Sequence, residues 1–477
     1  MKNEIDGGKA FAEGGFGCVF RPALLCKNKI NRHTGVSKLM LADKARAEYN
    51  EITKFLKVLS KIPNYKSLFM FPHNMCKLSP LDKKIDLVGF NKRCAHLKGK
   101  AKITGKTVNN NLDKLRSITL PDGGKDVDMK CKELETPSDF LKLNNSLMRL
   151  LKYGIIPMNY YKVYHFDVKD TNVLIDTDFT ARLTDWGLSG MIESKGYVGS
   201  VISNRPIQSN LPFSNILFNN NTLARLGSFY QNNKKSYTYE VLEAFMRDEF
   251  ERISQDIGNG HYEYLEPIYR QYIFEGTDYN FKEEVIGYLT QVVYNWKHTT
   301  HGFDLYKYFF NVFLPNADVW GFVTIYFAFF TRSIKMKIVN KHFYKNLRGL
   351  IIKHLLTDGH KPIDLRELVT DLKELNVVIR GNELNFEQGS PRTPDTKFVR
   401  STKTITFKAL QTAKRKHVEK IMKRADKNKT RKTSNKNKKR GTTILTKSHK
   451  KLSASTRRNK RGGGCESTKK TYTRRLN

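Results

Sequence analysis

The chain has 477 residues and a formal net charge of +39, with 85 Lys and Arg against 46 Asp and Glu. Hydrophobic residues make up 39% of it, including 29 Phe and 22 Tyr, which excludes a wholly disordered chain and suffices for two or three folded units. Residues 401–477 hold 27 Lys and Arg but only three acidic residues, so they carry +24 of the charge. We therefore expect a moderately basic folded body followed by a strongly basic tail.

The N-terminal quarter of the chain is typical of a small β-rich region with one helix. Short strands around a glycine turn are expected over 10–40, and apolar residues at helical spacing predict a helix over 41–61. Residues 91–114 are polar, basic and Asn-rich, which indicates a loop inserted between strands. An apolar strand at 117–120 then runs into a Pro-Asp-Gly-Gly break signal.

From about residue 138 onward the sequence predicts a mostly helical body, apart from a strand-like stretch at 163–185. The longest apolar run, Val319 to Phe330, has twelve residues. A bilayer needs about 20, so this run predicts a buried helix and no membrane span. Around 387–396 the composition changes to a Pro/Ser/Thr linker. The predicted fold class is therefore α+β.

Six cysteines are scattered without a C-x-x-C pair or a zinc-type spacing: Cys18, Cys26, Cys76, Cys94, Cys131 and Cys465. This pattern favours reduced thiols, and we expect neither disulfides nor a structural metal. The first residues, Met1 to Asp6, lack the apolar segment of a signal peptide. Together these features predict an intracellular location, cytoplasmic or nuclear.

One segment carries charged and amide side chains at a spacing that suits phosphoryl transfer. Asp167 can orient an attacking hydroxyl and accept its proton, and Lys169 can neutralise charge on a γ-phosphate. Asn172 and, thirteen residues later, Asp185 offer oxygens for the Mg²⁺ ions that bridge the phosphates. A loop between two short strands would bring these four side chains together. The alternative is an ordinary polar surface loop. It does not account for the segment 165–172 together with an Asp-x-Gly at Asp185.

A glycine-rich turn upstream could approach phosphates through its backbone amides, because side chains are absent there. It comprises Ala12, Gly14, Gly15 and Gly17, with Val19 on the strand that follows. Alone this is a weak signal, since such turns occur in many hairpins. Ala12 also stands where a first glycine is expected.

These stretches resemble the eukaryotic-type protein kinase superfamily, whose signatures are a glycine-rich loop, a strand Lys, a helix Glu, H-R-D-L-x-x-x-N and D-F-G. The resemblance covers roughly residues 10–380 and is most specific at 165–172 and at Asp185-Trp186-Gly187. It implies a bilobal fold with a small N-lobe and hinge over 1–125, a larger helical C-lobe over 126–386, and a linker and basic tail over 387–477.

The resemblance implies ATP and Mg²⁺ as cofactors. Lys38, in the strand-like Val36-Ser37-Lys38-Leu39, would reach the α- and β-phosphates and pair with a Glu on the following helix. We prefer Glu51 as that partner without excluding Glu48. Most lysines are simply solvated, so the position of Lys38 is what supports this role.

Three further sites follow from the same resemblance. Val19 would pack on the adenine ring, and the hinge containing Leu120 and Asp122 would meet the base through backbone groups. Asp318, in Asp-Val-Trp-Gly-Phe, resembles the start of the central buried helix of the large lobe. Its carboxylate would accept hydrogen bonds from the backbone of the catalytic loop.

The sequence departs from the family pattern at three places. Phe166 replaces the Arg that reads a phosphorylated activation loop, which puts activation by that route in doubt. No Ala-Pro-Glu follows Asp185, and residues 204–212 (NRPIQSNLP) stand there instead. A mostly helical insertion covers about 213–316. With the basic tail, these features resemble the divergent kinases of nucleocytoplasmic large DNA viruses.

Lys169 favours a Ser/Thr protein kinase, because tyrosine-directed relatives and small-molecule kinases commonly lack a Lys at that position. A pseudokinase is not favoured, since Lys38, Asp167, Asn172 and Asp185 are all present. The rival from another class is a catalytically weak, kinase-fold scaffold that acts as a nucleic-acid-binding or virion structural protein.

The tail, residues 401–477, has three interpretations. It could contact nucleic-acid phosphates without reading sequence, serve as a nuclear-import signal, or be merely solvated. Its many Ser and Thr suggest that autophosphorylation could release it from nucleic acid. The expected partners are protein substrates and, through this tail, nucleic acid, while the sequence indicates no oligomeric state.

Overall fold

The computed structural model describes residues 9–387, with gaps at 15–16, 31–33, 193–201, 234–236, 299–301 and 333–339. Gly15 of the glycine-rich turn and the linker and basic tail beyond residue 387 lie outside the described residues. The described chain is mixed α+β, with a small antiparallel sheet followed by many helices. The predicted α+β class is therefore confirmed as a mixture of sheet and helices.

Five antiparallel strands form the main sheet, in the order β1-β2-β3-β5-β4. They are β1 Lys9–Gly14, β2 Gly17–Arg21, β3 Val36–Leu41, β4 Asn74–Cys76 and β5 Leu115–Leu120. Gly14 lies opposite Gly17 where β1 meets β2. The predicted glycine hairpin and the predicted strand around Lys38 are therefore confirmed.

The chain between β4 and β5 covers one face of this sheet. It forms helices α2 Phe90–Arg93 and α3 Ala95–Ala101 and a 3₁₀ segment, Val108–Lys114, so the loop predicted over 91–114 is wrong. Apolar residues dispersed through this polar stretch explain the difference, because they are buried in one cluster with residues of the sheet. The cluster includes Cys18, Phe20, Leu39, Phe90, Cys94, Leu97, Ile103 and Val108.

Two disulfides join segments of this region, which contradicts the expectation of reduced thiols. Cys18 on β2 is bonded to Cys94, next to α3, and Cys26 is bonded to Cys76 on β4. Cys131 is a free, buried thiol. Sequence spacing could not reveal these pairs, because the sheet brings together residues 76 and 50 positions apart. Reduced thiols were one of two grounds for predicting an intracellular location, and the location itself stays a prediction.

The other face of the sheet carries Lys38. Lys38 lies opposite Val19 of β2 on one side and Ile118 of β5 on the other, so the three side chains share this face. Helix α1, Ala42–Leu59, packs there through Ala45, which lies in one cluster with Met40 and Ile118. The other buried residues of α1 are Ala42, Ile52, Phe55 and Leu59. The helix predicted over 41–61 is confirmed to within two residues at each end.

Short strands follow the main sheet and enclose the segment with Asp167. They are β6 Lys125–Asp126, β7 Val163–Tyr164, β8 Val173–Ile175, β9 Ala181–Leu183 and β10 Gly190–Met191. β8 pairs with both β6 and β9, and β7 pairs with β10, so the strand-like stretch predicted at 163–185 is confirmed. A further pair, β11 Lys297–His298 and β12 Gly302–Phe303, lies among the later helices.

The remaining helices form the larger part of the molecule. They are α4 Val127–Cys131, α5 Pro137–Leu150, α6 Ile156–Tyr160, α7 Asn220–Asn232, α8 Tyr239–Ile257, α9 Tyr262–Ile268, α10 Phe281–Asn295, α11 Leu305–Tyr308, α12 Leu314–Thr324, α13 Ala328–Thr331, α14 Lys341–Ile351 and α15 Leu365–Glu387. π-helical turns connect α5 to α6 and α11 to α12. The described part of 213–316, the stretch predicted to be a helical insertion, is mostly helical, as expected.

The most apolar helical stretch lies in the core of the fold. Among the described residues, Leu305–Thr331 has the length and composition of a membrane span. An 18-residue window within it has a mean hydropathy of 1.3, but 94% of that window is buried inside the protein. Within this stretch, Trp320 packs edge to face against Phe213 and Tyr288. The prediction that Val319 to Phe330 is a buried helix is confirmed.

Candidate active site

Asp318 holds the backbone of the loop that carries Asp167. Its fully buried carboxylate accepts hydrogen bonds from His165 N at 2.9 Å and from Phe166 N at 2.8 Å, as predicted. Burial raises the pKa of Asp318 to about 7, although the two backbone donors act in the opposite direction. Phe166 has a φ of +55°, which bulky residues rarely adopt, so these hydrogen bonds stabilise an unfavourable turn.

Three side chains converge on the carboxylate of Asp167, which is 8% exposed. Lys169 Nζ lies 3.0 Å from Oδ2, and Asn172 Nδ2 donates to the same oxygen at 2.8 Å. Asn210 Nδ2 donates to Oδ1 at 2.9 Å. The structure therefore brings together the predicted base, phosphate clamp and amide, and adds a residue from a later loop.

Asp185 lies next to this cluster. Thr184 N donates to Asn172 O at 3.0 Å, which joins the two segments directly before Asp185. The following Trp186 is buried, donates its indole N–H to Met70 O at 2.9 Å and packs edge to face on His165. This anchor fixes Asp185 at a φ of +63°, outside the regular regions for most residues.

Lys38 reaches Asp185 from the sheet. Its Nζ lies 2.8 Å from Glu48 Oε1 and 3.5 Å from Asp185 Oδ1. Burial opposes the charge on Lys38, but the carboxylates of Asp185 and Glu48 outweigh it and raise the pKa of Lys38. Burial would likewise raise the pKa of Asp185, but Lys38, His165 and Lys169 together lower it. The pair is therefore ionised at neutral pH.

The preferred pairing of Lys38 with Glu51 is wrong. Glu51 forms an exposed ion pair with Lys54 at 2.6 Å on the same helix, while Glu48 faces the sheet. At 100° per residue, Glu48 lies about 40° from the centre of the buried face of α1 and Glu51 about 100° from it. The helical phase of the buried residues Ala45 and Ile52 is the signal that could have distinguished the two.

The glycine-rich hairpin lies beside Lys38. Ala12 pairs with Val19, and Val19 lies opposite Lys38 on the next strand. A Cβ on Gly17 would meet Met40 Cγ at 2.7 Å and Leu39 O at 2.8 Å, so no side chain fits there without displacing β3. The structure thus places Ala12, Gly14, Gly17 and Val19 in one hairpin.

Leu120 ends β5 and is followed by the segment predicted as a hinge. Asp122 Oδ1 accepts from Arg21 on β2 at 2.8 Å and from Gly124 N at 3.0 Å. Gly124 has a φ of +87°, and a Cβ there would meet Ile175 O at 2.2 Å. The segment therefore links the main sheet to β6 and β8 through a tight turn that requires glycine.

Two residues near Asp167 were not identified from the sequence. Asn210 is 1% exposed, and within the described chain no hydrogen-bond partner lies near its buried Oδ1. Arg205 donates to Phe166 O at 3.3 Å, and burial lowers its pKa although Asp167 partly offsets this. Both lie in residues 204–212, which stand where the kinase pattern has Ala-Pro-Glu. That departure was the signal in the sequence that could have identified them.

Asn172 and Asp185 fit the requirements of a Mg²⁺ site. The amide nitrogen of Asn172 is engaged with the side chain and backbone of Asp167, which leaves its oxygen for a cation. The Asp185 side chain is 48% exposed and retains a second carboxylate oxygen. Among the described residues no group of three or more His, Cys, Asp and Glu could hold a metal ion, so phosphates and waters would complete the coordination.

Comparison with known proteins does not identify the chain. No protein-family model matches the sequence. No curated protein matches it at a significant level.

Proposed function

We propose that this chain is a serine/threonine protein kinase that transfers the γ-phosphate of Mg-ATP to protein hydroxyls. The ion-paired series Glu48, Lys38 and Asp185 carries the proposal, because it extends from the sheet to a segment that is hydrogen-bonded to the loop of Asp167 and Asn172. Phosphoryl transfer requires cations along the phosphates, oxygens for a metal and a carboxylate near the acceptor hydroxyl. The bilobal kinase architecture, with nucleotide bound between sheet and helices, is part of the same proposal.

Each side chain has a distinct role in this proposal. Asp167 orients the acceptor hydroxyl and takes its proton, since its carboxylate is held by Asn172 and Asn210. Lys169, now 3.0 Å from Asp167, contacts the transferring phosphate, and Lys38 contacts the α- and β-phosphates. Asn172 and Asp185 would hold Mg²⁺, which supplies neutralisation of phosphate charge when bound.

Transfer of labelled phosphate from Mg-ATP tests the proposal, with a basic protein and the chain itself as acceptors. We expect Asp167→Asn and Asp185→Ala to lower the rate by about 10²–10⁴-fold. Asp178→Asn is the matched control, because Asp178 lies on an exposed turn between β8 and β9. A folded wild type that binds ATP but transfers no phosphate would favour the scaffold alternative.

The basic tail, residues 401–477, supports a second part of the proposal, namely contact with nucleic-acid phosphates. Such binding weakens steeply as salt rises, because each neutralised phosphate releases counterions. Deleting the tail should abolish salt-dependent retention on DNA while leaving phosphate transfer intact. Equal retention of the dephosphorylated and autophosphorylated chain would contradict release by autophosphorylation.

A further inference from the structure

A turn of the helical insertion lies directly against the loop that contacts Asp167. It comprises residues 258–261, between α8 and α9, and His261 N donates to Ile207 O at 2.9 Å. Gly260 has a φ of +57°, and a Cβ there would meet Ile207 O at 2.2 Å and Pro206 Cβ at 2.9 Å. Only glycine fits at this position, so the turn packs tightly against the backbone of the loop.

His261 also holds the next residues of that loop. Its Nδ1 accepts the backbone N–H of Ser209 at 3.1 Å and lies 3.0 Å from Ser209 Oγ. Trp320 Nε1 donates to Ser209 O at 3.2 Å from the other side. Ser209 precedes Asn210, whose amide donates to Asp167 Oδ1 at 2.9 Å. A short series of contacts thus joins the insertion to the proposed base.

Phe166 bears on how the loop at 205–212 is held in place. Its side chain is buried and stacked on Tyr164, so it offers no charge to a phosphorylated residue. The loop at 205–212 is instead packed between the insertion turn and α12. We propose that His261 is a positioning residue that holds Ser209 and Asn210 against Asp167, so that the insertion orders this loop without phosphorylation. This inference rests on the proposed kinase function.

The position of the proton on His261 makes the contact dependent on pH. Because Nδ1 accepts a backbone N–H, it must be unprotonated, and a second proton would remove the acceptor. Burial lowers the pKa of His261 from 6.5, Lys169 and Arg205 add to this effect, and Asp167 opposes it. A lowered pKa means that the contact is present at neutral pH and is lost as pH falls through the pKa of the folded state.

Two substitutions separate positioning from mere packing. Asparagine at position 261 would retain an acceptor, because Asn Oδ1 is as many bonds from Cα as His Nδ1, but it cannot be protonated. His261→Ala removes the acceptor. His342→Asn is the matched control, since His342 is exposed on α14, outside the proposed site. Circular dichroism verifies that each variant folds.

Hydrogen exchange of the full-length chain at pH 7 provides a readout independent of activity. We expect faster exchange in the peptide covering 205–212 for His261→Ala, and no change for His261→Asn or the control. Phosphate transfer should fall about tenfold in kcat for His261→Ala, with an unchanged KM for ATP. His261→Asn should keep its kcat at neutral pH. Its kcat should fall less at acidic pH than the kcat of the wild type does.

The outcomes distinguish the inference from the proposed function. Wild-type exchange in His261→Ala, or equal losses of kcat in both variants, would overturn the positioning role. If the wild type transfers no phosphate, the kinase proposal fails. The exchange data then still decide whether His261 orders the loop.

Discussion

Lys38 Nζ lies 2.8 Å from Glu48 Oε1, and both side chains are only 13% exposed. The contact joins β3 to α1 and sets the distance between the sheet and its helix. Since Lys38 also reaches Asp185, the orientation of α1 and the geometry of the proposed phosphate site depend on one another.

Glu48→Gln should therefore impair nucleotide use, because a neutral amide leaves the buried Lys38 without its closest carboxylate. A charged hydrogen bond contributes about 1.5–3 kcal/mol, so we expect kcat/KM for ATP to fall about tenfold or more. Steady-state kinetics with varied ATP measures this. Glu51→Gln is the control, as Glu51 pairs with Lys54 at the surface, and an equal effect of both substitutions would contradict the assigned pairing.

The two disulfides should differ in their response to a dithiol reductant. Cys18 and Cys94 are fully buried, whereas Cys26 and Cys76 are partly exposed. Because exchange requires access of a thiolate to sulfur, Cys26–Cys76 should be reduced first. Alkylation at timed intervals followed by peptide mass spectrometry measures the order.

Loss of either disulfide should lower the free energy of unfolding by about 2–4 kcal/mol, since each closes a long loop of the unfolded chain. Urea unfolding of the oxidised chain, of the chain with only Cys26–Cys76 reduced, and of the fully reduced chain tests this. Complete alkylation of all cysteines without prior reduction would show that neither disulfide forms.

Glu249 on α8 should be essential for the stability of the insertion. It is fully buried and pairs with Arg225 on α7 and, at 2.9 Å, with Arg252. Removing the carboxylate takes this partner from Arg225, whose side chain is 51% exposed, whereas Arg252 retains its pair with Asp256. Losing a hydrogen bond to a charged group costs about 1.5–3 kcal/mol. Thermal unfolding of Glu249→Ala measures the loss. Glu251→Ala, which removes an exposed pair with Lys282, should unfold within a few degrees of the wild type.

Asp371 on α15 should stabilise the fold in a pH-dependent way. Burial would raise its pKa, but hydrogen bonds from His354 and Lys353 outweigh burial and lower the pKa from 3.8. A lowered pKa means that the stabilisation is present above pH 3.8 and is lost as pH falls through the folded-state value.

Asp371→Asn should thus lower the free energy of unfolding at neutral pH by about 1–3 kcal/mol and have little effect at strongly acidic pH. Urea unfolding across this range measures the difference. Asp358→Asn is the control, because Asp358 pairs with Lys361 at the surface. A destabilisation by Asp371→Asn that is independent of pH would refute the charge-based account.

The local parts of the site were predictable from the sequence. Asp167, Lys169 and Asn172 lie within six residues on one loop, so their approach follows from the turn between two short strands. The strand with Lys38 and the helix after it were likewise predictable, because apolar periodicity reports which side of an element is buried.

Other features depended on contacts that sequence patterns do not encode. The helices over 90–114 form because dispersed apolar residues meet the sheet, although their composition is that of a loop. Asn210 and His261 are 43 and 52 positions from the residues they contact. Nothing in the local sequence distinguishes these polar side chains, because their partners are set by tertiary packing.

By itself, the sequence determined the α+β class, the order of strands and helices around the site, and the identity of the acidic and basic groups on its loops. These follow from backbone and hydrophobic preferences acting over a few residues. Only the tertiary structure decided whether Glu48 or Glu51 pairs with Lys38, and which cysteines are bonded. It also placed the turn at 258–261 against the loop that contacts Asp167. Those choices depend on which distant segments can bury apolar surface together while satisfying their polar groups, and that is a property of the whole packed chain.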